Sequence, residues 1–273
     1  MTHVLSPVRS APPPRRRGDG LRAMIRGVGE MLITLGVVAL LFVFYAVYVT
    51  DWSSAEKQQD ATTELDDAWH NPRGRVDRPI EGEGIAKLYI PSFGSDFVFT
   101  VLEGTTPDTL EAGPGHYVDT AMPGQPGNFA VAGHRVGKGS PFNDLDLLSS
   151  CDAIVVETVD QWFVYRVLPL QGEADEWATG RGTAQQCAGV GPLSGSYADV
   201  IGKQIVLPSQ TEVIAPVPGQ PGLIPPADQA GLITLTTCHP QFSARERLIV
   251  HGVLVAQYSK AAGQRPAELV ASL

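Results

Sequence analysis

Three residues in this chain have the chemistry of acyl transfer and the setting to use it. Cys238 ends an apolar, β-branched run, Leu232-Ile233-Thr234-Leu235-Thr236-Thr237, and is followed at once by a turn signal at Pro240. A thiol is the best side-chain nucleophile near neutral pH, but only as thiolate, so a neighbouring base or cation must assist it. His134 follows a second apolar run, Asn128-Phe129-Ala130-Val131-Ala132-Gly133. An imidazole there can take the thiol proton and later return it to a leaving amine. Arg247 opens a third run, residues 247–255. Its guanidinium does not lose its proton, so its use is as a fixed donor to a developing oxyanion or to substrate backbone.

Each residue type has rivals nearby. Arg245 lies in the turn before the last strand, whereas Arg247 begins it. His116, His239 and His251 compete with His134 for the role of base. Neighbours on a strand face opposite ways, which disfavours His239 beside Cys238. No cysteine and histidine pair has the spacing of a zinc site, so no metal and no cofactor is expected.

The elements that must hold these residues read as strands. Candidate strands cover residues 85–91, 97–102, 128–133, 153–158, 162–168, 232–238 and 247–255, with a less regular pair at 205–207 and 212–214. Glycine (29) and proline (22) are frequent and no long amphipathic repeat occurs, which favours a loop-rich all-β domain. Residues 142–148 read as one short helix. The spacing predicts a nearly closed barrel of about eight strands with one or two short helices.

The N-terminal part is different. Residues 31–49 contain no charge and are long enough to span a bilayer, which takes about 20 apolar residues. Arg9, Arg15, Arg16, Arg17, Arg22 and Arg26 precede them and Asp51, Glu56 and Asp60 follow. That asymmetry puts the N-terminus in the cytoplasm and the bulk of the chain outside the cell. The expected division is a disordered basic tail (1–26), a membrane anchor (27–50), an extracellular linker (51–83), the catalytic barrel (84–260) and a C-terminal tail (261–273). Residues 55–69 within the linker could form a helix ended by Pro72 and Gly74. The net charge of −9 argues against a nucleic-acid partner. Of three cysteines, Cys238 belongs to the motif, which leaves Cys151 and Cys187 as a candidate disulfide in an extracellular domain.

The run Thr234-Leu235-Thr236-Thr237-Cys238 resembles the TLxTC signature of the sortases. Gly133-His134-Arg135 is similar to the segment bearing the sortase catalytic histidine, and Arg247 matches the position of the catalytic arginine. Residues 238–250, with Gly113-Pro114-Gly115-His116-Tyr117 and Pro141-Phe142, are similar to the class E, housekeeping type. The resemblance covers about residues 84–257. It implies an eight-stranded sortase barrel behind a membrane anchor. It also implies that Cys238 attacks the Thr–Gly bond of an LAxTG- or LPxTG-type C-terminal sorting signal, giving a thioacyl enzyme that an amine of a cell-wall precursor, lipid II, resolves. His134 would act as acid and base and Arg247 as oxyanion donor, while Thr236, Thr237 and Tyr117 would contact substrate. A pilin-polymerising sortase and a non-catalytic, membrane-tethered peptide-binding domain are the alternatives. The stretch 172–203, which holds Cys187, looks longer than the family's usual connection between its sixth and seventh strands.

Overall fold

The computed structural model describes residues 19–45, 50–71, 79–224 and 231–270. It divides into two units, residues 1–47 and 48–273. In the first, helix α1 (Asp19–Phe44) starts within the stretch assigned to the tail. Residues 21–26 are mostly good helix formers, and Arg26 pairs with Glu30 one turn on (2.9 Å). It contains the one helix among the described residues that is long and apolar enough to cross a membrane, Gly20–Phe44. The tail's first 18 residues and residues 46–49 of the expected anchor lie outside the described residues.

The second unit is built on nine strands: β1 (Gly84–Tyr89), β2 (Val98–Glu103), β3 (Gly115–His116), β4 (Gly127–Ala132), β5 (Ala153–Glu157), β6 (Gln161–Val167), β7 (Lys203–Val206), β8 (Gly231–His239) and β9 (Glu246–Ser259). Eight of them close a ring in the order β6-β5-β1-β2-β3-β4-β8-β9, and β9 pairs back onto β6. The expected closed barrel of eight strands is therefore the observed fold. The ninth strand, β7, lies beside the first half of β9, and β6 pairs with the second half. This double duty explains the length of β9. Alternation decides what fills the ring: Phe129, Val131, Ile233, Leu235, Leu248 and Val250 point inward and are buried. Burying one such side chain contributes about 1.5–3 kcal/mol.

The opposite faces of β8 and β9 are covered too. Leu232 and Val253 pack with Leu168, Tyr197, Val200 and Val217 from the long connections on either side of β7. The first of these connections is bonded through Cys187 to Cys151, which lies just before β5, and Trp177 and Val190 pack around the pair.

Several expected loops are ordered differently. Helix α2 (Thr50–His70) occupies most of the stretch assigned to the linker and buries Ser54, Ala61 and Leu65 in the barrel unit. The proposed stops at Pro72 and Gly74 lie outside the described residues. The Gln58 amide donates to the carbonyls of Thr100 (3.3 Å) and Ala112 (2.9 Å) and accepts from the Thr100 amide. Short β3 pairs with β2 only at Leu102 and Glu103, so Gln58 satisfies strand groups that β3 does not reach. Helix α3 (Pro107–Ala112) connects β2 to β3, with Thr106 as its N-cap, Pro107 in the first turn and Gly113 at its C-terminal end. The segment 212–214 is a 3-10 turn rather than a strand, because Val213 is drawn into a small cluster with Val206 and Ile249. The helix expected over 142–148 shrinks to a 3-10 turn at Leu145–Leu147. The C-terminal stretch carries helix α4 (Ala267–Val270), where Leu269 packs with Val155, Trp162 and Val164 and Glu268 pairs with Arg166 (2.6 Å). That apolar anchor makes it part of the barrel surface rather than a tail.

Candidate active site

The three candidate residues leave neighbouring strands at one end of the barrel. β8 and β9 are antiparallel, and Cys238 is the register partner of Arg247. β4 runs parallel to β8 with Ala132 opposite Thr236. Past that pair the Gly133 amide donates to the Thr236 carbonyl (3.0 Å), and the Thr237 hydroxyl donates to the Gly133 carbonyl (2.8 Å). His134 and Cys238 therefore stand two residues beyond a fixed pair on adjacent parallel strands. Side-chain alternation places Thr234, Thr236 and Cys238 on the outer face of β8, and Arg247, Ile249 and His251 on the outer face of β9. Cys238 is half-buried and its thiol is free of any disulfide.

Gly133 is required before the histidine. A side chain there would sit 2.5 Å from the Phe142 ring, which folds back over this position. The Phe142 amide donates to the His134 carbonyl (3.0 Å), so the loop closes on itself. The His134 ring is half-buried, and its Nε2 is inaccessible and has no hydrogen-bond partner among the described residues. Burial lowers its pKa from the ordinary value, the Lys138 charge lowers it further, and Glu111 opposes both. The ring thus favours the neutral form that can accept a proton.

The rival histidines are committed elsewhere. His239 Nδ1 faces a guanidinium nitrogen of Arg135 at 2.8 Å. Since arginine can only donate, Nδ1 accepts and the remaining proton sits on Nε2. His116 is buried on Glu103 (2.7 Å) and Thr120 (2.8 Å). His251 is fully buried between Thr234 (2.8 Å) and Gln204 (3.2 Å), and burial lowers its pKa to about 4.

Arg247 is half-buried, and its Nη1 donates to the main-chain carbonyls of Ala244 (3.1 Å) and Glu246 (3.0 Å), which ties one arm of its guanidinium to the turn. Arg245 is exposed. Of the residues expected to contact substrate, Tyr117 meets Thr236 hydroxyl to hydroxyl at 3.0 Å on the outer face. Thr237 is not with them. It points inward, is buried, and spends its hydroxyl on Gly133, so its contribution is to hold the end of β4. Among the described residues no group of histidine, cysteine and acidic side chains could hold a metal.

Residues 88–255 match the model of the sortase domain. The chain belongs to the sortase family. Sortase SrtE1 of Streptomyces coelicolor is 34% identical over 246 residues, covering 88% of this chain and 59% of that protein. This sortase thus spans less than two thirds of that relative's length. The solved SrtF sortase from Corynebacterium diphtheriae is 49% identical, covers 73% of this chain and 97% of that one, and superposes with a TM-score of 0.64. Sortase E1 from Streptomyces coelicolor, solved with a tripeptide in its active site, is 31% identical, covers 70% and 99%, and gives a TM-score of 0.51. The class E resemblance read from residues 238–250 agrees with these relatives.

Two groups of residues at the site carry no role in the sequence reading. Arg135 was visible in Gly133-His134-Arg135, but a buried charge is indistinguishable from a surface one until its partners are known. The second group ties α2 to the histidine loop. The Asp51 carboxylate accepts from the Gly139 amide (3.1 Å), and Glu111 of α3 joins Lys57 of α2 (2.7 Å) to Lys138 (3.4 Å). The Thr-Pro-Asp start of α3 was the available signal for the element that presents Glu111.

Proposed function

We propose that this sortase is a membrane-anchored transpeptidase that cleaves an LAxTG- or LPxTG-type sorting signal between Thr and Gly and transfers the protein to an amine of a peptidoglycan precursor. Cys238 attacks the threonine carbonyl, Arg247 stabilises the oxyanion, and His134 protonates the departing glycine amine. The incoming amine then gives its proton to His134 as it displaces the sulfur. Tyr117 and Thr236 contact the bound signal. The observation that carries this reading is the register of Cys238 against Arg247, with His134 leaving the adjacent parallel strand at the same height.

Helix α1 serves as the anchor, N-terminus inside, because the arginines precede its uncharged stretch, which begins at Met31, and Asp51, Glu56 and Asp60 follow it. The Cys151–Cys187 bond supports an extracellular catalytic domain, since disulfides persist in oxidising compartments. The test is incubation of the full chain in detergent with an LAxTG peptide and a small amine. A peptide–amine product, and a peptide thioester on Cys238 seen by mass spectrometry, support the reading. Binding without product, or turnover that survives in Cys238→Ala, overturns it.

A further inference from the structure

Beyond Ala132 and Thr236, the ends of β4 and β8 that bear His134 and Cys238 no longer pair as strands. Arg135 bridges them. It follows His134 directly, yet its guanidinium donates to His239 Nδ1 (2.8 Å) and contacts the Cys238 carbonyl (3.4 Å). Its second terminal nitrogen meets Asp146 of the Leu145–Leu147 turn at 3.0 Å. One planar side chain thus joins the histidine loop, the nucleophile's own main chain and the turn that closes the loop.

Stability alone does not account for such a residue. Arg135 is 4% exposed, its acidic partner is half in solvent, and its Nε is buried with no partner among the described residues. A buried charge with an incomplete set of partners is commonly no more stabilising than a well-packed apolar side chain. What an arginine adds here is a fixed fork that reaches two chain segments at once. Lysine has the charge but not the fork.

We propose that Arg135 is a positioning residue that clasps the Cys238 end of β8 to the His134 end of β4 through His239 and the Cys238 carbonyl, with Asp146 as its counter-ion. The clasp sets the approach of imidazole to sulfur, on which both proton transfers of the proposed reaction depend. An error of about 1 Å in such a geometry costs on the order of 10²-fold in rate. The inference rests on the transpeptidase reading, and the control below separates the two.

The test uses the full chain with Arg135→Ala, Arg135→Lys, His239→Leu and His239→Asn, assayed with peptide and amine at a temperature well below each variant's measured Tm. Arg135→Ala is expected to lose about 10²-fold in kcat with little change in KM. Millimolar guanidinium ion should restore part of that loss in Arg135→Ala and none in Cys238→Ala. Arg135→Lys should remain closer to Arg135→Ala than to the parent. His239→Asn, whose amide oxygen can accept the same bond, should exceed His239→Leu. A purely structural arginine predicts a lower Tm, an unchanged kcat below it, and no rescue. If Arg135→Ala does not fold, the order of the two His239 variants decides, and equal rates overturn the proposal. Parental kcat in Arg135→Ala with an inactive Cys238→Ala overturns the clasp and leaves the transpeptidase reading intact.

Discussion

Cys238 and Arg247 face each other across the β8–β9 ladder as register partners. The pairing matters because a ladder cannot slip by one residue without turning every side chain to the other face. With Ile233 and Leu235 locked inside the barrel, Cys238 must lie outside, and with Leu248 and Val250 inside, so must Arg247. The core thus specifies the site. Arg245, two residues earlier and exposed in the turn, has no such constraint. Arg247→Ala is expected to reduce kcat by about 10²–10³-fold, the cost of removing one oxyanion donor. Arg245→Ala should stay close to the parent. Equal losses in the two variants would refute the assignment of the oxyanion donor to Arg247.

His134 titrates under opposed influences. Burial is the largest and lowers its pKa, Lys138 acts in the same direction, and Glu111 acts against them. Arg135 is its neighbour in sequence, Cys238 lies on the adjoining strand β8 and Arg247 on β9 beyond it, and Lys57 shares Glu111 with Lys138. The imidazole resonances of His134 are expected to titrate with a midpoint below the ordinary value of about 6.5. Glu111→Gln should move that midpoint lower still, and Lys138→Gln should raise it. The His134 limb of the kcat/KM profile should follow in each case. Movement of the two variants in the same direction would contradict this electrostatic arrangement.

His251 supplies a stability signal independent of catalysis. It is fully buried, its ring hydrogen-bonds to Thr234 and Gln204, and it has a folded pKa of about 4. In the unfolded chain the same group titrates near 6.5. Between these values the unfolded state binds a proton that the folded state refuses, so stability falls as pH falls through this window. Above about 6.5 both states are neutral and the effect vanishes. The expected loss is on the order of 3 kcal/mol on going from pH 7 to pH 4. Chemical denaturation at a series of pH values should show it, and His251→Gln should flatten the profile in that window. A His251→Gln profile as steep as the parent's would assign the acid sensitivity to other groups.

How much of this was legible beforehand follows from the range of the interactions. Alternating apolar residues in 232–238 and 247–255 announce two strands, and their inward members predict which face Cys238 and Arg247 take. Those are local signals. The outcomes that differed depend on partners far away in sequence. Gln58 is an ordinary polar residue until the Thr100 backbone is found beside it. Thr237 looks like a groove residue until the Gly133 carbonyl claims its hydroxyl. Val213 belongs to a plausible strand, yet one apolar contact with Ile249 is better met by a turn. Arg135 is the sharpest case, since three of its contacts lie in other segments of the chain.

The Cys151–Cys187 bond should govern the long connection between β6 and β7. The two residues are 36 apart in sequence, and closing a loop of that size stabilises the folded state by about 3–4 kcal/mol on chain entropy. Trp177 is packed against the bond and donates to the Val190 carbonyl (2.9 Å), so it reports on the same region. The Cys151→Ala, Cys187→Ala double variant should lower Tm, red-shift the Trp177 emission and open residues 172–203 to limited proteolysis. Single-turnover formation of the peptide thioester should change much less, because the nucleophile and its partners are fixed by β4, β8 and β9. A collapse of that rate with the barrel still folded would show that the insertion shapes the substrate groove itself.

Helix α2 should prove inseparable from the barrel. Gln58 satisfies three main-chain groups that would otherwise be left inside the contact, and leaving buried polar groups unpaired costs about 1–3 kcal/mol each. The neighbouring chain is shaped to admit it: a side chain at Gly113 would lie 2.1 Å from the Gln58 amide nitrogen. Gln58→Leu retains the bulk and removes the polar groups, so it isolates the hydrogen bonds. It is expected to lower stability by about 2–4 kcal/mol, read by urea denaturation with an unchanged m-value. Gly113→Ala should have a similar effect through displacement of the same amide. Because α2 also reaches the histidine loop through Asp51 and Gly139, Asp51→Ala should weaken turnover more than it weakens folding. A freely tethered α2 predicts none of these losses, and parental stability in Gln58→Leu would return residues 50–70 to the role of a spacer.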